Sequence, residues 1–210
     1  MSIRVRGVQK NRGRNDRESP SGRLRIVAGK WRSRLLPVAD VPGLRPTSER
    51  IRETLFNWLA PELPGARCLD LFAGTGALGL EALSRGAGQV VFIERSERAA
   101  ATLRESVAAL GADNAIVYRE DATQWLRRDP EVFDIVFLDP PFADDLLPQL
   151  CRLLDDEGRL ADGARVYLEQ ERAAPLPALP AGWEVLKEKT AGQVRYALIL
   201  ANEKQRRSGQ

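Results

Sequence analysis

A doubly wound α/β fold, a mostly parallel seven-stranded sheet carrying a small basic N-terminal hairpin extension, is what this sequence predicts. Three observations lead there. Short apolar runs bounded by turn residues alternate with amphipathic helical patterns, the rhythm of βαβ units. The glycine-rich stretch Gly74-Thr75-Gly76-Ala77-Leu78-Gly79 follows the first core run and opens an alanine- and leucine-rich helix. Asp70, Glu94, Asp121 and Asp139 fall at or just beyond the ends of four separate runs, and in such sheets ligands bind outside the carboxyl ends of the strands.

The 210-residue length suits one domain of ordinary size plus an extension, because burying roughly 70% of the unfolded surface supplies an adequate core. Residues 1–22 read as a basic arm, 23–43 as a hairpin extension, 44–202 as the catalytic-size domain and 203–210 as a tail. Cys68 and Cys151 sit in apolar surroundings without metal-ligand spacing, as reduced core residues of a cytoplasmic protein do. The chain contains no histidine. That removes the Ser-His-Asp triad, the Cys-His pair and histidine zinc sites, so the chemistry falls to carboxylates, backbone groups or a cofactor, with no metal expected. No run is long enough to span a bilayer and no secretory pattern opens the chain, so neither a membrane nor a leader is expected, and the protein reads as a monomer.

Charge is unevenly spread. Residues 1–36 hold eleven Lys or Arg against Asp16 and Glu18, a local +9, which leaves about −6 for the rest of a chain whose net charge is +3. A cationic arm on a mildly acidic body suits polyphosphate, since neutralising each phosphate releases counterions whatever the base sequence. The plainer reading of residues 1–20 is a solvated tail, because Arg, Asn, Gly and Ser bury too little surface to offset ordering entropy.

In chain order, Leu24, Ile26, Leu35, Leu36 and Val38 flank a Gly29-Lys30 turn, predicting a hairpin that displays Arg23, Arg25, Lys30, Arg32 and Arg34. Trp31 is read as packing on the body rather than stacking on a base. Beyond Arg45-Pro46-Thr47-Ser48, a helix over 49–59 is capped by Thr47 or Ser48, with Ile51, Leu55, Trp58 and Leu59 inward and Arg50, Arg52 and Asn57 toward solvent or, as the second reading, bordering the ligand site. Cys68 to Phe72 forms the opening strand and Gln89–Glu94 the second. A helix capped by Ser96 buries Ala99, Leu103, Val107 and Leu110 and stops at Gly111. Ala115–Tyr118 is the third strand, with Arg119 to Ala122 as a loop before a short helix bearing Trp125 and Leu126. Phe133–Leu138 is the fourth strand and runs into Asp139-Pro140-Pro141-Phe142; Asp134 reads as a turn residue. A helix over 145–154, capped by Asp144 and Asp145, and a strand over 165–169 precede a terminal hairpin, Trp183–Thr190 and Val194–Leu200, that completes one sheet edge.

Two cofactors compete for the glycine turn. Gly74 to Gly79 matches the G-x-G-x-x-G dinucleotide fingerprint, and Glu94 stands near the position of a ribose-binding acid, so a nicotinamide oxidoreductase is a fair reading. Asp70 opposes it: an acid just before the turn suits a cationic amino group better than a pyrophosphate. The missing histidine also removes the commonest proton donor for hydride transfer.

The residues carry a family resemblance at this point. Asp70-Leu-Phe72-Ala73-Gly74-Thr75-Gly76 resembles the first motif of class I S-adenosylmethionine-dependent methyltransferases, which have a Rossmann-like sheet. The resemblance implies that this acid and loop hold the methionine part of S-adenosylmethionine, that Glu94 with Arg95 lies at the ribose hydroxyls, and that Asp121 with Ala122 lies beside the adenine. Asp139-Pro140-Pro141-Phe142 resembles the (Asp/Asn)-Pro-Pro-(Tyr/Phe) tetrad of enzymes that methylate exocyclic amines of nucleobases. Taken with Arg45-Pro46-Thr47 and Arg52 to Leu59, the chain from Arg25 to Leu200 is similar to the bacterial small-subunit ribosomal RNA guanine-N2 methyltransferases of subfamily D. That implies methylation of one guanine N2 amine of 16S ribosomal RNA, position 966 in the usual count, in the 30S subunit or its precursor. Arg23, Arg25, Lys30, Arg32, Arg34, Arg45 and Thr47 are then the candidate RNA-facing residues, and the arm before Ser21 lies outside the pattern.

The tetrad has a physical reading of its own. A guanine N2 lone pair is delocalised into the ring, so the amine attacks only when acceptors hold its hydrogens. The Asp139 carboxylate and Pro140 carbonyl suit that task, the prolines fix the loop, and Phe142 offers a face for a flipped base. In-line alignment supplies much of the acceleration, so no strong general base is required. Asp139 and water both remain open as proton acceptor. Gly79 reads as a close-packing position, and Glu169 has no assignable role. A DNA adenine-N6 methyltransferase sharing the tetrad and a non-catalytic RNA-binding protein are the remaining alternatives.

Overall fold

The computed structural model describes residues 22–41, 47–128, 131–142 and 145–201. The predicted arm, Arg45, Asp144 and the tail after Ala201 lie outside the described residues. Strands β1 (Arg23–Arg25) and β2 (Leu35–Pro37) pair antiparallel in a two-stranded sheet, with Leu24 opposite Leu36. Both leucines are buried, as is Trp31, which packs on the body as expected.

Helix α1 (Glu49–Trp58) starts where Ser48 accepts a hydrogen bond from the Ile51 amide. It buries Ile51, Leu55 and Phe56, and Leu59 just beyond its last turn. Each such side chain contributes about 1.5–3 kcal/mol in transfer terms. Trp58 is half-buried and stacks on Tyr196. Arg52, expected toward solvent, is instead 1% exposed.

The main sheet comprises β3 (Arg67–Asp70), β4 (Gln89–Glu94), β5 (Ala115–Arg119), β6 (Phe133–Leu138), β7 (Leu160–Glu171), β8 (Trp183–Ala191) and β9 (Val194–Ala201). Its spatial order is β5-β4-β3-β6-β7-β9-β8, parallel from β5 to β7, with β9 antiparallel to both β7 and β8. The expected seven strands and edge hairpin are therefore present. The order reverses direction beside β3, between β4 and β6, which places a topological switch point at the strand ahead of the glycine turn.

Helices α2 (Ala77–Ser84) and α3 (Glu97–Leu110) cover one face with α1 and the N-terminal hairpin, while α4 (Ala122–Leu126) and α5 (Leu147–Asp156) cover the other. Ser96 caps α3 and Gly111 ends it in the left-handed region, as the sequence predicts. Helix α5 starts later than expected: Leu146 holds the cap position, no side chain caps it, and Asp145 adopts a positive φ of 41° instead. Pro148 in the first turn removes one amide that would otherwise need a cap. Asp134 is a strand residue rather than a turn residue; its Oδ2 accepts the Arg67 amide at 2.8 Å, tying the start of β6 to β3.

Candidate active site

The glycine turn takes its shape from three packing facts. Gly74 and Gly76 have φ of 51° and 76°, so both use the left-handed region open to glycine. Gly76 is the N-cap of α2 and brings no side chain to cap it. Gly79 lies against the Phe92 ring, where a Cβ would sit 2.2 Å from a ring carbon, so it serves close packing.

The missing cap is supplied across space. Asp70, the last residue of β3 and 2% exposed, accepts the Gly79 amide on Oδ2 at 3.0 Å. Glu94, at the end of β4, bridges the same turn to α3: Oε2 accepts the Gly74 amide at 2.8 Å and Oε1 the Ser96 amide at 2.7 Å. Asp121, expected in a loop, is the N-cap of α4. Its Oδ1 accepts the Thr123 and Gln124 amides at 2.9 and 3.1 Å and the Thr123 hydroxyl at 2.5 Å. These bonds, the Thr123 hydroxyl first, hold the Asp121 carboxyl below the usual range.

A cavity of about 730 Å³ opens beyond these strand ends. The structure brings together Asp70, Phe72, Ala73, Gly74 and Thr75 from the turn, Glu94 and Arg95 from the end of β4, and Asp121 and Ala122 from the start of α4. Asp139 to Phe142 and Thr47 complete the wall. Gly76 does not line it and acts through backbone shape alone. Arg23, Arg25, Lys30, Arg32 and Arg34 are exposed on the hairpin and also do not line it. Arg25 meets Glu49 at 3.7 Å, and Arg34 donates to the Ala109 carbonyl.

Asp139 follows β6 directly, and Thr47 donates to its Oδ2 at 3.4 Å. It lies deep in the cavity wall with part of its surface toward the cavity. Burial, then the neighbouring carboxyls of Glu169 and Asp70, push Asp139 well above the usual carboxylate range. Burial likewise raises Glu169, against the opposing Tyr167 hydroxyl. Burial and then Glu94 push Asp70 up to about 7, although the Gly79 and Phe72 amides favour its charged form.

Asp70, Asp139 and Glu169, whose carboxyls are raised, repel one another across this cavity unless a cation joins them. That fits S-adenosylmethionine, which brings a sulfonium and an ammonium, and disfavours a dinucleotide. One first-turn amide of α2, that of Gly79, is taken by Asp70, whose charge would repel phosphate. Glu94 retains lone pairs for vicinal hydroxyl donors, and Asp121 Oδ2 accepts no hydrogen bond among the described residues. The literal dinucleotide fingerprint is therefore not matched by the chemistry of its surroundings.

Sequence reasoning passed over a buried network behind this site. Arg52 Nη1 meets Glu81 Oε2 at 3.1 Å, Arg52 Nε donates to the Thr47 carbonyl at 3.1 Å, and Arg52 Nη2 donates to the Arg25 carbonyl at 2.8 Å. Glu81 also accepts the Val27 and Ala28 amides and Arg85 Nε. Ser84 donates to the Ala28 carbonyl and accepts the Trp31 amide. The available signal was a lone Glu in the otherwise small and apolar run Ala77 to Leu83.

Among the described residues, no helix is long and apolar enough to cross a membrane, and no group of three His, Cys, Asp or Glu is arranged to hold a metal ion. Residues 24–200 match the family model described as "Conserved hypothetical protein 95". The chain is 51% identical over 180 residues to ribosomal RNA small subunit methyltransferase D of Escherichia coli, covering 86% of this chain and 91% of that protein. It is 44% identical over 181 residues to the protein of the same name from Haemophilus influenzae, covering 84% and 93%. The solved structure of Escherichia coli yhhF matches with a TM-score of 0.83 at 47% identity, covering 87% of this chain and 100% of that one.

Proposed function

We propose that this chain, which belongs to the Conserved hypothetical protein 95 family together with the small-subunit ribosomal RNA methyltransferase D proteins, transfers the methyl group of S-adenosylmethionine to the N2 amine of a guanine in 16S ribosomal RNA. The observation that carries this reading is Asp139-Pro140 standing at the end of β6 in the same cavity as Asp70 and Glu94. One wall suits a cationic nucleoside cofactor and the other an amine donor.

In this reading Asp70 faces the ammonium of the cofactor, Glu94 with Arg95 accepts and flanks the ribose hydroxyls, and Asp121 Oδ2 and the Ala122 backbone face the adenine edge. Phe72, Ala73, Gly74 and Thr75 form the floor beneath it. Bound S-adenosylmethionine supplies a methyl carbon already activated by its sulfonium. The Asp139 carboxylate and the Pro140 carbonyl accept the two amine hydrogens, which turns the nitrogen lone pair out of conjugation with the ring. Thr47, donating to Asp139 Oδ2, fixes that carboxylate and leaves Oδ1 for the amine. Phe142, 47% exposed, offers its ring to a flipped base. The raised affinity of Asp139 for protons suits it to take the proton that the amine sheds. Arg23, Lys30 and Arg32 on the hairpin, with Arg45 and the arm, face the RNA backbone, and the enzyme acts on the 30S subunit or its precursor as a monomer in the cytoplasm.

Tritium transfer from labelled cofactor tests the reading. The expected result is label in the RNA of 30S subunits that lack the modification, mapped to a guanine N2, and none in duplex DNA. Label in adenine of duplex DNA would assign the tetrad to DNA instead. No binding of S-adenosylmethionine by calorimetry would leave a non-catalytic RNA-binding protein.

A further inference from the structure

Glu169 is the buried acid that the proposed mechanism leaves unused. We infer that Glu169 is a specificity-determining residue whose Oε1 accepts the N1–H of the flipped guanine while Asp139 accepts from its N2 amine. This assignment rests on the reading of the site as a guanine-N2 methyltransferase.

Strand register places the two acids together. Leu138, the last residue of β6, pairs with Leu168 of β7 in parallel register on strands about 4.8 Å apart, so Asp139 just beyond β6 comes beside Glu169 within β7. Both follow residues that alternate onto the same face, Phe137 and Tyr167, and both line the 730 Å³ cavity. Glu169 is 5% exposed. Its Oε2 accepts the Tyr167 hydroxyl at 2.7 Å, which fixes the carboxyl plane. Its Oε1 accepts no hydrogen bond among the described residues, and neither does Asp139 Oδ1. Both residues line the cavity, where these oxygens can accept from a ligand.

The two open oxygens match one base. On the Watson–Crick edge guanine presents N1–H beside the N2 amine, adjacent donors. Adenine and cytosine set an acceptor nitrogen beside their amine, and uracil has one N–H between two carbonyls. Adjacent carboxyl acceptors therefore complement guanine and oppose the other three. Space for the base exists on the outer side of the tetrad. A second cavity of about 500 Å³ is walled by Phe142, Pro140 and Glu169 together with Pro175, Leu176 and Pro177. Gln170 holds that proline loop by donating to the Ala174 and Pro175 carbonyls at 2.9 and 2.8 Å. Glu169 is thus shared between the cofactor cavity and the outer one, where the edge of a base stacked on Phe142 would arrive.

The test replaces the methylated guanine by 2-aminopurine, which keeps the amine at C2 but carries an acceptor lone pair at N1. Small-subunit particles reconstituted with either base at the position the native enzyme labels are compared for Glu169 and for Glu169→Gln. The native enzyme is expected to prefer guanine by on the order of 10⁴-fold, because a site built to hydrogen-bond a donor rejects an analogue lacking it. In Glu169→Gln the amide N–H can serve the 2-aminopurine N1, so the preference is expected to fall at least tenfold. Differences in intrinsic amine reactivity cancel in that ratio of ratios. Binding supplies a second readout. With S-adenosylhomocysteine present, the fluorescence gain of 2-aminopurine on leaving the stack is expected to be larger for Glu169→Gln than for the native enzyme. An equal loss of rate on both bases, with no fluorescence difference, would overturn the assignment and leave Glu169 a supporting residue. Should Glu169→Gln not fold, Glu169→Ala serves: it is expected to lose discrimination without gaining 2-aminopurine transfer, and unchanged discrimination would overturn the assignment. A native enzyme that labels no guanine would instead remove the parent reading.

Discussion

Arg52 and Glu81 meet at 3.1 Å with their side chains 1% and 0% exposed, and both reach the backbone of the hairpin. The pair joins α1, α2 and the hairpin at one point, and Arg52 Nε continues the chain of contacts to Thr47 and so to Asp139. Burial lowers the Arg52 pKa and Glu81 opposes that shift. Arg52→Ala would leave Arg85 as the one guanidinium on Glu81 and take the donor from the Thr47 and Arg25 carbonyls, and is expected to cost about 1–3 kcal/mol, a fall in Tm of roughly 2–12 °C. Calorimetric scanning checks this. Arg52→Lys is expected to recover only part, since an ammonium cannot serve Thr47, Arg25 and Glu81 with the planar fork of a guanidinium.

Asp139 is expected to divide binding from transfer. Asp139→Ala removes an acceptor for the amine but leaves the turn, Glu94 and Asp121 intact, so methyl transfer should fall by about three orders of magnitude or more. The dissociation constant for S-adenosylmethionine should change by less than about threefold. Isothermal titration beside single-turnover transfer separates the two, and equal loss of both would contradict the division.

Asp70 is expected to make cofactor affinity depend on pH. With its pKa pushed up to about 7 from an ordinary 3.8, it holds a proton in the free protein below neutrality. A cationic ligand favours the carboxylate, so binding should tighten as pH rises from 6 to 8 and release up to about one proton per site at the acid end. Titrations in two buffers of different ionisation heat measure that release, and Asp70→Asn should abolish it. The same shift has the opposite sign for stability of the free protein. The folded state binds this proton more tightly than the unfolded chain, so the contribution is complete below pH 4 and is lost as pH rises through about 7.

The hairpin charges are expected to act through phosphate. Replacing Arg23, Lys30 and Arg32 together by Ala should lower the slope of log affinity against log salt by roughly 2–3, at about 0.7–0.9 per contact. Deleting residues 1–22 should weaken RNA binding mainly at low salt. Filter binding across a salt series reads both, and an unchanged slope would make these cations bystanders.

Much of the fold was legible because its signals were local. β4 and β6 fall on the residues their apolar runs predict, and Ser48, Ser96 and Gly111 act as caps that short-range backbone chemistry dictates. The acids at strand ends were legible for the same reason, since topology turns position along a strand into position around a crevice. What escaped was pairing across long sequence separations. Arg52 and Glu81 lie 29 residues apart and Asp70 caps a helix nine residues on, so Arg52 looked solvent-facing and Asp70 ligand-directed when read alone, and Glu81 drew no reading. Glu169 was visible as a strand-end acid. Its meaning depends on the Leu138 and Leu168 register, which no local pattern encodes. The start of α5 was misplaced because Asp145 resembles a cap yet occupies a left-handed turn.

The position of β9 between β7 and β8 sets an order of events for the nascent chain. β7 carries Glu169; its inner edge pairs with β6, and its outer edge pairs with Val194–Ala201, which is synthesised later. Until those residues leave the exit tunnel of the translating ribosome, β8 has no neighbour and β7 offers a bare hydrogen-bonding edge. The Glu169 side of the cavity is therefore completed after the glycine-turn side, whose strands are present by Leu138. Chains truncated before Val194 should retain the glycine turn yet associate edge to edge.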